Sequence, residues 1–270
     1  FQLSEKHLKM EVVRSYQCEN LLDLVETYTV DCDWKVLLTE ARTCLGLWES
    51  SIAHKATSSM HGKADEWDMS MSKNAYNLIS LSSTMPEFFS LWNQVFRNIR
   101  KYPGLETKPL WIHAWMNVHR AEQLGKMSLG WHNHSYCGYH GFIHLSQKET
   151  TTVFSNVIPQ SFEERDEHTL WYLDAEDRTK HPLDETITDV IRIDNQQGLQ
   201  YIGPGPLMHK VIPGDYPGVR VSIGYDIIDD LNWLPLEQCH SDKGLCQFYP
   251  VFERQEDLFN TKLIPIPVYG

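Results

Sequence analysis

The sequence predicts a mainly β fold, a sandwich or a barrel, with a helical region before it. Three observations predict this fold class. Apolar residues recur at helical spacing before residue 105, and they recur at a spacing of two after residue 110. The apolar runs that follow are short, and turns rich in glycine and proline separate them, as in all-β sandwiches and barrels. The chain of 270 residues is long enough to bury a substantial core.

Residues 1–105 are predicted to form a mostly helical N-terminal region. Its clearest helix begins near Thr84, where Thr84 and Glu87 match a T-x-x-E capping box and Pro86 lies in the first turn. Six apolar residues then recur at helical spacing and predict one buried face: Phe88, Leu91, Trp92, Val95, Phe96 and Ile99. The polar segment 57–73 is predicted to be a loop.

Residues 106–230 are predicted to form a β core, and its first strand follows Leu110. The alternation in this strand places Trp111, His113, Trp115 and Asn117 on one face and apolar residues on the other, so we expect it to be buried on both sides. Further strands are predicted in the runs HGFIHLS, TTVFSNVI, TLWYL, ITDVIRI, LMHKVI and VRVSIGYDII. The acidic segment 161–189 is an insertion, either a solvated loop or a lid over a site. Residues 231–270 form a C-terminal extension.

Composition excludes several classes of protein. The net charge of −12 argues against binding to a nucleic-acid backbone. No apolar run approaches 18 residues and the N-terminus lacks a signal-peptide pattern, so we expect a cytoplasmic protein that does not bind membranes. The six cysteines show no C-x-x-C, which favours reduced thiols; Cys239 and Cys246 bracket a short loop and are the pair to check for a disulfide. Hydrolase and phosphate-binding motifs are absent, and the oligomeric state is left open.

Histidines are concentrated in one part of the chain. Of the 13 in the sequence, six lie within 32 residues: His113, His119, His132, His134, His140 and His144. In an extended segment the side chains of His132 and His134 point to the same side. A third ligand from a distant strand, such as His209, would complete a metal site of the catalytic type, with positions left open. Ordinary surface or core histidines are the alternative.

Arg220 is the second feature with chemical content. Within 218–223, Arg220 and Ser222 share one strand face, and apolar residues take the other. A buried guanidinium needs an anion, and we expect no Asp or Glu to alternate with it on this strand, so we expect an external carboxylate; an internal salt bridge is the alternative. A hairpin turn at Gly214 and Asp215 would place His209 opposite Arg220 or Ser222.

Five short motifs in this order resemble those of a known family. They are Trp115-Met-Asn117, His132-Asn-His134, Gly141-Phe-Ile-His-Leu, His209-Lys-Val-Ile-Pro213 and Arg220-Val-Ser222-Ile. The pattern resembles that of Fe(II)/2-oxoglutarate-dependent dioxygenases, and more closely that of the 2-oxoglutarate–iron oxygenases of bacteria and phages. The resemblance covers roughly residues 85 to 228.

The resemblance implies a double-stranded β-helix, which is a jelly-roll or cupin-like barrel, with helices packed outside it. His132, His134 and His209 would hold Fe(II), and Arg220 with Ser222 would bind the distal carboxylate of 2-oxoglutarate. Asn117, Tyr139 and His144 would be further pocket residues. The family's reaction uses O2 to oxidise a C–H bond, here of an unidentified small molecule or peptide and typically by hydroxylation, and releases succinate and CO2.

One position departs from the family pattern. The usual iron site has two histidines and one carboxylate, and His134 stands where the carboxylate would be. Three imidazoles could bind the iron, one of the pair could leave room for a ligand such as halide, or the iron chemistry could be lost; we expect the first. Two other classes stay open: a cupin-like three-His metalloenzyme that does not use 2-oxoglutarate, and a non-catalytic jelly-roll module that binds a ligand with exposed Trp and Tyr.

Overall fold

The fold is mostly β, with two antiparallel sheets and a few helices in the part of the chain that the structure describes. A computed structural model describes residues 20–50, 69–70, 78–82, 84–120, 132–134, 137–146, 150–155, 190–213, 219–229 and 249–251. The longest helix in these ranges has 17 residues, and no helix in these ranges is both long enough and apolar enough to span a membrane.

The elements follow one another in this order. A short 3-10 helix, Leu21–Leu24, precedes strand β1 (Glu26–Thr29). The α-helices are α1 (Trp34–Ser50), α2 (Leu78–Ser82) and α3 (Pro86–Lys101). The remaining strands are β2 (Met69–Ser70), β3 (Trp111–Arg120), β4 (Tyr139–His144), β5 (Thr150–Ser155), β6 (Val190–Asn195), β7 (Leu199–Pro204), β8 (Met208–Pro213), β9 (Val219–Ile228) and β10 (Tyr249–Pro250).

The strands form a large and a small sheet. The large sheet has the order β1-β7-β4-β9-β3-β10, with β2 also paired to β3, and the small sheet has the order β6-β5-β8. From β3 onward the chain passes repeatedly between them: β4, β7 and β9 belong to the large sheet, and β5, β6 and β8 belong to the small one. This arrangement is consistent with a cupin-like fold.

The helices cover one face of the large sheet. Apolar residues of all three helices join alternate residues of the central strands in one core, which includes Val221, Ile223, Tyr225 and Ile227 of β9. The other residues of β9 therefore face the space between the two sheets. Phe142, Phe154 and Tyr201 form a smaller core cluster there, between the sheets. We call this space the interior.

The N-terminus of α3 is capped differently from the prediction. All six predicted apolar residues are buried, but the N-cap is Met85, and no side chain of the cap residue hydrogen-bonds there. Glu40 of α1 accepts instead, from the backbone N–H groups of Glu87 and Phe88, at 2.9–3.2 Å. The capping-box prediction is wrong because a carboxylate from another helix satisfies these donors.

Most of the other predicted elements can be compared with the structure. Strands are present in five of the six runs quoted after the first strand, and β1, β2, β7 and β10 were not predicted. The run TLWYL, segment 161–189, Cys239 and Cys246 lie outside the described residues. The segment 57–73, predicted to be a loop, also lies outside the described residues, except for Met69–Ser70, which form the strand β2. The cysteines that are described are free thiols: Cys32, Cys44 and Cys137.

The predicted hairpin between His209 and Arg220 is wrong. Strand β8 pairs with β5 on one edge and bridges to His132, whereas β9 pairs with β3 and β4. Because a strand has only two edges and both edges of β9 are occupied within the large sheet, β8 cannot pair with it. His209 and Arg220 therefore lie on opposite sheets.

Candidate metal centre

The H-x-H segment is held against the start of β8. His132 donates its backbone N–H to the carbonyl of His209 over 3.1 Å, and His209 donates back over 2.8 Å. This reciprocal pair places the two residues directly opposite each other, as in an antiparallel ladder. His134 donates its backbone N–H to the carbonyl of Gly205 over 2.8 Å, which extends the contact to the turn between β7 and β8.

Gly205 allows this close approach. A Cβ atom at this position would lie 2.3 Å from the carbonyl oxygen of Cys137 and 2.6 Å from that of His134. Both contacts are with backbone atoms, and the carbonyl of His134 already accepts a hydrogen bond from the N–H of Cys137 over 2.9 Å, so it cannot move away cheaply. The glycine of the predicted turn is therefore required to bring the H-x-H segment next to His209.

The structure brings His132, His134 and His209 together. Their ring centroids are 5.4 Å (132–134), 4.3 Å (132–209) and 5.3 Å (134–209) apart. One ring nitrogen from each lies within 4.8 Å of those of the other two, and His134 and His209 are buried. This is the approximate separation of three ligands that share one metal ion, for which metal–nitrogen bonds are about 2.0–2.1 Å.

In His134 and in His209, the Nδ1 atom of the ring lies next to a hydrogen-bond acceptor. The Nδ1 of His134 lies 2.9 Å from Asp226 Oδ1, and the Nδ1 of His209 lies 3.2 Å from the carbonyl of Leu207. Because the carboxylate and the carbonyl only accept, these contacts favour the tautomer in which Nδ1 carries the hydrogen and Nε2 presents its lone pair. Metal-binding histidines commonly have this arrangement, in which the outer nitrogen is held by a buried acceptor.

The electrostatic environment keeps His209 neutral. Burial, followed by the neighbouring imidazoles of His132, His140 and His134, lowers the pKa of His209 well below its usual value of 6.5. The neutral imidazole is the form that binds metal ions. His209 is therefore in its ligating protonation state at neutral pH.

Two residues that the sequence did not single out join the cluster. His140 Nδ1 lies 2.9 Å from the same Asp226 Oδ1, and its ring stacks on that of His134 with centroids 3.6 Å apart. His134, His140 and Asp226 form a second group that could hold a metal ion. Strand alternation could have found Asp226, because it lies six residues after Arg220 and so on the same face.

The position of Asp226 corrects the expectation that no acidic residue shares a face with Arg220. Strand β9 reaches Ile228, as the run VRVSIGYDII predicted, and Asp226 lies on its interior face. At about 3.3 Å per residue the two α-carbons are roughly 20 Å apart. Asp226 contacts His134 and His140. Its distance from Arg220 along β9 prevents it from being the direct partner of the guanidinium.

Trp115 covers the histidine pair. Its ring centroid lies 5.8 Å from that of His134 and 5.9 Å from that of His140, and both ring pairs are close to parallel, at 19° and 27°. The indole is only 9% exposed. It therefore shields these two imidazoles from water on the side of β3.

Several polar residues lie near Arg220, in another part of the interior. Arg220 and Ser222 are buried, and His144 of β4 is paired with Ser222. Asn117 of β3 lies opposite Ser222 on its other side and is half-buried. Four of the sequence-predicted binding residues thus lie together, on three adjacent strands.

His144 is held as a neutral group beside Arg220. Burial, followed by the positive charge of Arg220, lowers the pKa of His144 well below 6.5, against an opposing hydrogen bond with Asn195. Asn195 is itself fixed by the hydroxyls of Thr150 and Thr152, at 2.9 and 3.0 Å. The Nε2 of His144 is buried and has no hydrogen-bond partner among the described residues.

Tyr139 does not join these residues. It belongs to the core between the helices and the large sheet, where its ring contacts that of Tyr102 edge-on, with centroids 5.4 Å apart. Alternation along β4 explains the difference, since His140, Phe142 and His144 occupy the interior face and Tyr139 the opposite one. The prediction that Tyr139 lines the pocket is therefore wrong.

Comparison with known proteins gives matches among solved structures alone. No protein-family model matches the sequence, and no curated protein matches it. The non-heme α-ketoglutarate-dependent carbocyclase SnoK from nogalamycin biosynthesis is 15% identical, over 83% of this chain and 85% of that one, with a TM-score of 0.43. HygX from Streptomyces hygroscopicus, with nickel and 2-oxoglutarate bound, is 12% identical, over 77% of this chain and 83% of that one, with a TM-score of 0.47. The non-heme monooxygenase ThoJ in complex with nickel is 11% identical, over 77% of this chain and 74% of that one, with a TM-score of 0.44.

SnoK is described as α-ketoglutarate-dependent, and the HygX structure holds 2-oxoglutarate, the cosubstrate of the family that the sequence motifs resemble. All three identities are 15% or less and all three TM-scores are below 0.5, so these likenesses carry no conclusion about function.

Proposed function

We propose that this chain is an Fe(II)- and 2-oxoglutarate-dependent oxygenase that acts on a C–H bond of a small molecule or peptide. The observation that carries the proposal is the cluster of His132, His134 and His209, whose ring nitrogens lie within 4.8 Å of one another. In His134 and His209 an acceptor lies next to Nδ1, an arrangement common in histidines that bind a metal ion through Nε2.

The strand order supports a double-stranded β-helix as the framework of this site. In such a barrel the eight strands are shared between two sheets in a fixed alternation. Here β3, β4, β7 and β9 lie in one sheet, while β5, β6, β8 and the bridge at His132 lie in the other. We place the barrel at residues 106–230, with the N-terminal helices outside it and residues 231–270 as an extension.

The proposed iron site uses three neutral imidazoles. Bound Fe(II) and 2-oxoglutarate would supply the activation of O2 that oxidises the substrate, with release of succinate and CO2. The chain's own contribution is to hold the ligands at fixed angles and to exclude water. The bridge between His132 and His209 does the first, and the indole of Trp115 does the second.

Arg220 and Ser222 are the proposed site for the distal carboxylate of 2-oxoglutarate. A buried guanidinium can form two parallel hydrogen bonds to a carboxylate, and the hydroxyl of Ser222 lies on the same face of β9. Because His144 stays neutral beside Arg220, it adds no competing charge, and its buried Nε2 is available to the ligand. Asn117, on the neighbouring strand, completes the proposed pocket.

The test is an anaerobic titration of the Fe(II)-loaded chain with 2-oxoglutarate. A weak visible charge-transfer band from the chelate is expected. Arg220→Ala should weaken 2-oxoglutarate binding by roughly 30- to 100-fold, because a charged hydrogen-bond partner contributes about 2–3 kcal/mol, and it should leave iron affinity nearly unchanged. Arg192→Ala, at an exposed position of β6, is the matched control. Absence of the band in a chain shown to hold iron would overturn the use of 2-oxoglutarate.

A three-His metalloenzyme that does not use 2-oxoglutarate is the second candidate. It is favoured by one observation, that the group of His132, His134 and His209 contains no carboxylate. It predicts a bound metal and no spectral response to 2-oxoglutarate. If the chain retains no metal under saturating conditions, both enzyme proposals fail, and a jelly-roll binding module accounts for the fold.

A further inference from the structure

We propose that Asp226 is a positioning residue of the metal centre, which orients His134 and supplies the negative charge that the three-imidazole ligand set lacks. The inference rests on the metal-binding part of the proposed function and is independent of 2-oxoglutarate. Neither the H-x-H motif nor the Arg-x-Ser motif includes this residue.

Asp226 is a buried carboxylate next to the proposed metal centre. It lies in β9, between β3 and β4, opposite His113 on one side and His140 on the other, and is 1% exposed. Burial of a carboxylate is costly unless donors and positive charge compensate for it. The two Nδ1 atoms at 2.9 Å supply donors, and a metal ion on the far side of the His134 ring would supply the charge.

The contact with Asp226 bears on which nitrogen of His134 binds the metal. With Asp226 Oδ1 2.9 Å from Nδ1, the carboxylate favours the tautomer in which Nδ1 carries the hydrogen and Nε2 presents its lone pair. The stack with His140 at 3.6 Å and the cover from Trp115 restrict rotation of the ring about that bond. His134 thus reaches the cluster in one orientation.

Charge gives Asp226 its second role. Two histidines and one carboxylate around Fe(II) leave a net charge of +1, whereas three neutral histidines leave +2. In this chain the ring of His134 lies between the carboxylate of Asp226 and the proposed metal position. Asp226 therefore restores, through His134, the negative charge that a directly bound carboxylate would supply.

Variants of His140 and Asp226 distinguish the effect of the stacked ring from that of the carboxylate charge. It shares Oδ1 of Asp226 with His134, so it helps to hold the carboxylate in place. His140→Phe keeps a flat ring in the stack and leaves the bond between Asp226 and His134 intact. Asp226→Asn preserves the side-chain volume and removes the charge.

The experiment compares Co(II) affinity and the visible absorption spectrum of bound Co(II) in four proteins. Asp226→Asn should weaken Co(II) binding by about 10- to 100-fold, the range typical of outer partners of metal ligands, and should shift the spectrum, which a loss of stability alone would not do. His140→Phe should have a smaller effect, within about threefold. Asp194→Asn, on the exposed face of β6, should match the wild type.

The outcomes distinguish this inference from the proposed function. Equal affinity and spectra in the wild type and Asp226→Asn would overturn the role of Asp226 and leave the metal centre intact. Absence of Co(II) binding in the wild type would overturn both.

If Asp226→Asn does not fold, histidine 15N NMR of the Zn(II)-loaded wild type decides. The inference requires that the Nδ1 of His134 carries a hydrogen-bonded proton and that its Nε2 binds the metal. Metal binding through Nδ1 would overturn it.

Discussion

Gly224→Ala should disturb the metal centre without touching a proposed ligand. A Cβ atom at this position would lie 2.6 Å from Cζ2, 2.7 Å from Cε2 and 3.0 Å from Nε1 of Trp115. Because Trp115 stacks on His134 and His140, movement of the indole is transmitted to the pair of imidazoles. The glycine is needed here for space, since the strands that meet at this point are close-packed.

The structure sets the size of the effect. Ordinary contact begins near 3.4 Å, so the indole ring must retreat by at least 0.8 Å (3.4 − 2.6). Overpacking of a buried site typically costs about 1–3 kcal/mol, and we expect the free energy of unfolding to fall by that amount. A displaced His134 should also lower Co(II) affinity several-fold.

Urea unfolding and Co(II) titration measure both effects. Gly46→Ala is the control, because nothing lies within 4 Å of its Cβ position in α1 and alanine should stabilise that helix by about 0.5–1 kcal/mol. Trp115→Phe, which shortens the ring, should relieve much of the cost of Gly224→Ala in the double variant. The reasoning is refuted if Gly224→Ala leaves both unfolding and Co(II) affinity at wild-type values.

Three further predictions test other parts of the structure. His209→Ala should abolish iron retention, whereas Lys210→Ala, on the opposite face of β8, should not; full metal occupancy in His209→Ala would remove it from the site. Burial and Arg220 lower the pKa of His144 in the folded chain, so only the unfolded chain gains a proton as the pH falls below about 6.5, and stability declines. His144→Gln should reduce that slope by up to about 1.4 kcal/mol per pH unit in urea unfolding from pH 7.5 to 5; an unchanged slope would contradict the assignment. Glu40→Ala should cost about 1–2 kcal/mol of stability and exposed Thr84→Ala less than about 0.5 kcal/mol; a larger loss from Thr84→Ala would restore the capping box.

Local periodicity was sufficient to predict the faces of the main elements. The six apolar residues of α3 and the two faces of β3 follow from spacings of a few residues, which do not depend on the rest of the chain. The shared side of His132 and His134 follows in the same way, because it needs only an extended segment.

Contacts between distant segments could not be predicted in this way. Glu40 caps a helix that begins 46 residues later, and nothing near Pro86 in sequence indicates it. His140 and Asp226 meet because β4 and β9 are neighbours in one particular register. A shift of that register by one residue would have placed an apolar side chain opposite His140.

The sequence by itself determined which residues face the interior and which of them are chemically suited to bind a metal and a carboxylate. Only the tertiary structure decided that His209 meets His132 across the small sheet, and that Arg220 belongs to the other sheet. The physical reason is that side-chain direction is a property of a single strand, whereas strand pairing depends on which edges the rest of the chain leaves open. Both edges of β9 are occupied by β3 and β4, and this places Asp226, and not Arg220, next to His134 and His140.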